Sequence, residues 1–214
     1  LTNIGAIYLS LDKLINAEKK FDQAIKINPE FEIAHFNLGI THKKLNRLDA
    51  AKESFKKAID LKKDYVEAHT NLGTIFLKLN KFNDAEKCFK KAIKSNSSFA
   101  DAHYNLGIAQ ARQFKYKDAE LSYQHAIKLK SNFEEAENNL KKILRQNKLL
   151  LKIDDAQKKI SINNKIDFGL TKNPFVSKRS VETELIDELY KIKSVDLDKT
   201  VDVRYGNGKC SDYE

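Results

Sequence analysis

The sequence predicts an all-α solenoid of stacked helix hairpins, followed by a less regular tail. Three observations carry that expectation. HFNLGITHKKL from His35, HTNLGTIFLKL from His69 and HYNLGIAQARQ from His103 are near copies, and TNIGAIYLSL from Thr2 joins them with Ile in place of Leu. The spacing does not vary: Gly5, Gly39, Gly73 and Gly107 are 34 residues apart, as are Ala17, Ala51, Ala85, Ala119 and Phe21, Phe55, Phe89, Tyr123. Within each period, apolar residues recur at three- and four-residue steps in two segments, the pattern of two amphipathic helices. A lone helix hairpin cannot bury both its apolar faces, so units must stack, and four periods exceed the roughly three such a stack requires.

Taken in order, the first unit opens in mid-pattern at Leu1, so a truncated array is expected. In the second unit helices are predicted from about Glu32 to Leu45 and from Leu48 to Leu61, broken at Asn46 and Arg47; Asn80 and Lys81 break the third unit. Gly39 and Ala51 allow close approach of the two backbones, with Phe55 beside them. Each unit closes on Phe31, Tyr65, Phe99 or Phe133, so residues 1–133 make four units. From Glu134 a fifth unit begins in register at Ala136, Asn139 and Leu140. Lys141 then stands at the Gly position and KKILRQNK turns polar, which predicts a capping helix over 134–150. Beyond Leu151 the step is lost. Residues 151–195 read as a connector with one or two helices, the later one capped by Ser180 and facing inward through Val181, Leu185, Leu189 and Ile192. Over 196–214, TVDVRY alternates before GNGK, the start of an incomplete β-containing domain.

A 34-residue period with this order of small and large residues resembles the tetratricopeptide repeat family. The resemblance implies a right-handed superhelix whose first helices line a concave groove that binds peptides. The family's Pro near the end of each unit survives only as Pro29; Lys63, Ser97 and Ser131 replace it, which predicts looser turns there. It also implies that Asn37, Asn71, Asn105 and Asn139, with Asn3 ahead of them, face the groove. A carboxamide both donates and accepts, so such a row can pair with the backbone of an extended peptide. This resembles the asparagine ladder of the O-linked N-acetylglucosamine transferase superhelix. Bonding to a neighbouring helix is the other role open to the row. Phe36, Thr70 and Tyr104 form the implied aromatic row, and Ile40, Thr74 and Ile108 the next. Lys43, Leu77 and Ala111 follow, beside a basic stripe of Lys44, Lys78 and Arg112 and an acidic one of Glu67, Asp101 and Glu135. The two-carboxylate clamp of chaperone-binding members is not matched at Phe36, Thr70, Ile40 and Thr74, which argues against a chaperone tail.

Composition sets the bounds. The formal charge of +9 raises nucleic acid as a partner, but Lys residues lie in mixed runs such as KESFKKAIDLKKD, as on a solvated helix face. No apolar run reaches the ~18–20 residues of a membrane span. Two distant cysteines, Cys88 and Cys210, give no disulfide framework, so a cytoplasmic location is expected. His35, His69 and His103 look like metal ligands, yet equivalent residues of stacked repeats lie about 10 Å apart, too far to share zinc. GNGKCS lacks the earlier Gly of a phosphate loop, Val203 standing in its place. No cofactor is expected.

The reading is a non-catalytic scaffold that holds a protein or peptide segment. The alternative is the substrate-presenting arm of a larger enzyme, a glycosyltransferase or an iron/2-oxoglutarate oxygenase-like protein. DVRYGNGKCSDYE resembles the junction ahead of such an oxygenase domain, whose metal ligands would lie beyond residue 214.

Overall fold

The computed structural model describes residues 1–167; the helix expected after Ser180 and the strand expected within 196–214 lie outside them. The described residues form nine helices and no strand: α1 (Thr2–Ser10), α2 (Leu14–Ile27), α3 (Glu32–Lys44), α4 (Leu48–Leu61), α5 (Val66–Lys78), α6 (Phe82–Ser95), α7 (Ala100–Arg112), α8 (Tyr116–Leu129) and α9 (Glu134–Asp167). The chain divides into two units, Leu1–Asn147 and Lys148–Glu214, and the first holds the hairpins. No helix among the described residues is long and apolar enough to cross a membrane.

Each hairpin is set by one close approach. A Cβ added to Gly73 on α5 would lie 2.5 Å from the ring of Phe89 on α6, closer than side chains tolerate. The other three hairpins repeat the contact through Phe21, Phe55 and Tyr123, all four rings being buried. Small residues on the facing helix, Ala17, Ala51, Ala85 and Ala119, are likewise fully buried. The core therefore runs through the stack as a chain of aromatic rings flanked by alanines.

The turn inside each hairpin is equally regular. Asp12, Asn46 and Asn80 take φ near +55° and the next amide reaches back five residues, as Arg47 N–H does to His42 O at 2.9 Å. Asn and Asp tolerate this left-handed conformation. In the fourth unit Phe114 holds the position at φ 60° with 78% of its surface exposed. The four-residue links between hairpins are held differently. His35, His69 and His103 donate from Nε2 to the carbonyls of Pro29, Lys63 and Ser97, each at 2.9 Å. The carbonyl at the family's Pro position is thus clasped whether or not Pro occupies it, so the turns at Lys63 and Ser97 are anchored rather than loose. The first helices α3, α5 and α7 have no side-chain cap bond; at the start of α5 the aromatic residue docks instead, Tyr65 lying 4.8 Å from Phe36.

Two glutamates on second helices clasp the neighbouring hairpin. Glu18 on α2 accepts from Arg47 at 2.8 Å and His42 at 3.2 Å. Glu86 on α6 takes Lys115 at 3.0 Å, Gln113 at 2.8 Å and Lys90 at 2.7 Å. Burial pushes the Glu86 carboxyl up, but these three donors outweigh it and hold it down at about 2. Between them, Lys52 stands in the equivalent place and pairs with Asp49 on its own helix at 2.9 Å. On its outer side that joint rests on an apolar cluster of Phe55, Leu72, Ile75 and Cys88, flanked by Phe76, while on its inner side Lys43 donates to Asn71.

At the end of the array, Phe133, Ala136 and Ile143 are buried, with Tyr123 and Ala126 of α8 in the same clusters. The helix does not stop at residue 150, as the loss of register suggested, but continues to Asp167. Nothing in KKILRQNKLLLKIDDAQKK breaks a helix: it holds no Gly or Pro, and Lys, Leu, Gln and Ala are good formers.

Two stability changes follow. Gly73→Ala should destabilise by about 1–3 kcal/mol in urea unfolding, although Ala is the better helix former by ~1 kcal/mol; a gain in stability would disprove the close approach. Phe114→Asn should stabilise by about 1 kcal/mol, read as a higher melting temperature, because the left-handed penalty is relieved.

Candidate peptide-binding groove

Successive first helices touch one another, α1 with α3, α3 with α5 and α5 with α7, whereas successive second helices make no comparable contact among the described residues. The first helices therefore form the inner wall of the stack and the second helices its outer wall. The Asn position lies along the seam between inner helices. Lys43 of α3 donates from Nζ to Oδ1 of Asn71 on α5, and Asn139 of α9 donates to the hydroxyl of Tyr104 on α7 at 3.2 Å.

The row is not uniform in its bonding. Asn71 is spent at both ends, since its Nδ2 also donates to Glu67 O at 2.9 Å. Asn105 uses its Nδ2 on Asp101 O at 2.8 Å, and its Oδ1 has no partner among the described residues. The Asn37 carboxamide is half-buried and has no partner among them at either end. Asn3 is exposed on α1.

The aromatic row packs into the wall, with Phe36 and Tyr104 partly buried. Phe36 lies 5.8 Å from Phe55 and 4.8 Å from Tyr65, and Tyr104 lies 6.0 Å from Tyr123 and 4.8 Å from Phe133. Thr70 in the same row is buried, its hydroxyl donating to Val66 O at 2.8 Å. The cause is position: this residue sits one place before the Asn and turns into the gap between two helices and the following link. Lys44, Lys78 and Arg112 are exposed at the last turns of their helices, and Lys44 reaches back to Asp12 at 3.0 Å. The stripe thus lies toward the hairpin turns, at the edge of the inner wall.

Lys43 is an inner-wall cation bonded across the seam. Burial, and then the charge of Lys78, hold its amine below the ordinary lysine range. The signal was present: Leu77 and Ala111 occupy its equivalent positions, so a lone Lys there departs from the repeat. Among the described residues no three His, Cys, Asp or Glu side chains could share a metal ion. What the wall offers is carboxamides and ammonium groups.

The comparisons agree with this architecture. Family models described as Tetratricopeptide repeat match residues 1–31 and 70–132, and one described as TPR repeat matches residues 41–80. The chain carries tetratricopeptide repeats. Among solved structures, the crystal structure of MamA is similar at 23% identity over 70% of this chain and 97% of that one, with a TM-score of 0.58. YrrB, described as a TPR protein with an unusual peptide-binding site, is 18% identical over 69% of this chain and 76% of that one, with a TM-score of 0.60. Both likenesses speak to fold alone. The first TPR of Spaghetti (RPAP3), bound to the HSP90 peptide SRMEEVD, is 26% identical over 54% of this chain and 91% of that one, with a TM-score of 0.53. No curated protein matches the sequence significantly.

The Lys43–Asn71 contact ties two repeats together across the wall. A double-mutant cycle of Lys43→Met and Asn71→Ala, read by urea unfolding, should give a coupling of roughly 0.5–1.5 kcal/mol. Strict additivity would show that the contact contributes nothing.

Proposed function

We propose that the chain is a non-catalytic scaffold that holds an extended segment of a partner protein against its inner wall. The observation that carries this is the seam of half-buried carboxamides with hydrogen-bonding capacity left at Asn37 and Asn105. An extended strand exposes an N–H or C=O toward one side at every other residue. A carboxamide fixed on a rigid helix can pair with either group without regard to the side chain. The ladder reading drawn from the O-linked N-acetylglucosamine transferase superhelix fits these two positions best. Asn71 and Asn139 serve the wall itself, holding Lys43 and Tyr104. Lys43 at the seam and Lys78 at the edge of the wall supply a positive field, which favours acidic segments. The likeness to repeats that hold a peptide, RPAP3 and YrrB, supports the same use.

Two or three amide bonds at ~1 kcal/mol each, with modest apolar burial, correspond to micromolar binding. The test is selection of binders from a phage-displayed library of random peptides on the full chain, followed by titration against variants. Asn37→Ala with Asn105→Ala should weaken the selected peptides on the order of tenfold and leave the melting temperature within a few degrees. Undiminished affinity in that double variant would sink the proposal, because the carboxamides would then be structural.

A further inference from the structure

Lys43 differs from the other lysines of the hairpins in what surrounds it. It lies half-buried in the last turn of α3, and its Nζ donates to Asn71 Oδ1 across the seam. An ammonium group has three protons, and this bond uses one. Among the described residues no acid pairs with it; the charged neighbour that bears on it is another cation, Lys78. Lys78 stands seven residues after Asn71, two turns along the same face of α5. The acids of these helices, Glu32, Glu67 and Asp101, occupy first turns, at the opposite end from the lysines. Other lysines are matched: Lys44 pairs with Asp12 at 3.0 Å. On the outer wall, Lys56 and Lys87 at the rim of a 240 Å³ cleft pair with acids on their own helices, at 3.1 and 3.6 Å. Taking an ammonium group out of water without an anion costs free energy, and a carboxylate brought beside it offsets that cost.

The spacing of the seam fixes where on a bound segment such a carboxylate falls. Helices in contact lie about 8–10 Å apart, and an extended chain advances about 3.3 Å per residue, so a segment crossing the wall passes roughly three residues per repeat. Its backbone groups face the wall at every second residue. Residues six apart therefore face it alike, and the residue midway between them faces away. Asn37 and Asn105, the carboxamides with bonding capacity left, are two repeats apart. Asn71, at the odd step between them, is already taken by Lys43 and by Glu67 O. The wall thus offers backbone pairing on either side of a cation.

We propose that the partner segment carries an acidic side chain midway between two backbone contacts six residues apart, and that its carboxylate pairs with Lys43. Lys78 adds a second positive charge beside the pair. The inference rests on the groove reading above and names the residue that the partner presents. An internal side chain is assigned, not a chain terminus, because the wall continues past Lys43 on both sides, through α1 and through α5 and α7. Leu77 and Ala111 stand at the equivalent places on α5 and α7, so the seat is not repeated there and gives the segment its register.

Amide NMR of the full chain, titrated with a blocked nonapeptide of alternating Ser and Thr with one central Glu, tests this. Shifts should appear at Asn37, Asn71 and Asn105 and saturate in the millimolar range, with the central-Gln peptide binding about five- to tenfold more weakly. Moving the Glu to either end should lose most of that gain, and a Gln peptide with a free terminal carboxylate should not recover it. Lys43→Met should abolish the difference between Glu and Gln peptides with an unchanged circular dichroism spectrum, and Lys43→Arg should keep part of it. Lys91→Met, the same charge change at an exposed outer position, should leave it intact. A difference that survives Lys43→Met, that falls equally with Lys91→Met, or that the free terminus matches would overturn the proposal. Equal binding of the two peptides, with shifts at Asn37 and Asn105, would remove the acidic seat and leave the groove standing. No inner-wall shift with either peptide would remove both.

Discussion

The distance between the two helices of each hairpin depends on an aromatic ring lying where a glycine has no side chain. Phe21, Phe55, Phe89 and Tyr123 each press on the glycine of the partner helix at a separation no Cβ could share. Helices that close cannot rotate or slide without a clash, so the hairpin is rigid and its outer dimensions repeat. Rigidity in one unit passes to the next because the link is also clasped, by a histidine on its carbonyl in three units. From these two constraints the rest follows: inner helices brought into contact, outer helices held apart, a wall on one side and clefts on the other.

The backbone supplies the same seam and the same cleft at every joint, and side chains then differentiate them. Glu18 and Glu86 draw the neighbouring turn inward through charged donors, whereas Lys52 at the intermediate position leaves the outer side of its joint to apolar packing. The change extends through the joint. Where Ser54 and Ser122 bond His42 and Gln110, at 3.2 and 2.7 Å, the third unit has Cys88 and Phe76. A polar pair has been replaced as a pair, which leaves no hydroxyl stranded beside an aromatic ring.

Much of this was legible in the residues. The invariant step located the hairpins, and Asn46 and Asn80 marked turns because a short polar side chain tolerates a left-handed backbone. Phe114 could not be recognised that way, since only its place in the repeat, not its chemistry, puts it in such a turn. The length of α9 was misjudged for a related reason. Losing the repeat's register removes a stacking partner, but it does not end a helix in a run of good helix formers. At the site, the Asn row was visible as a row, yet which carboxamides are free depends on neighbours in other units. Asn71 is spent because Lys43 lies 28 positions earlier, a relation that helical periodicity within one unit does not contain.

The two faces also place different demands on a ligand. On the inner wall, groups are spread along a line one repeat apart, and no single small molecule reaches two of them. Affinity there must come from a long chain that meets several weak sites at once, gaining from their connection. The outer cleft, of about 240 Å³, is instead floored by Ile59 and Leu72 and rimmed by lysines. Both faces draw on α5, whose Asn71 stands at the seam while His69 and Leu72 floor the cleft. Between those two surfaces, α5 is locked to α6 through Gly73 and Phe89. The same lock that repeats the hairpin therefore holds the seam and the outer wall at one separation.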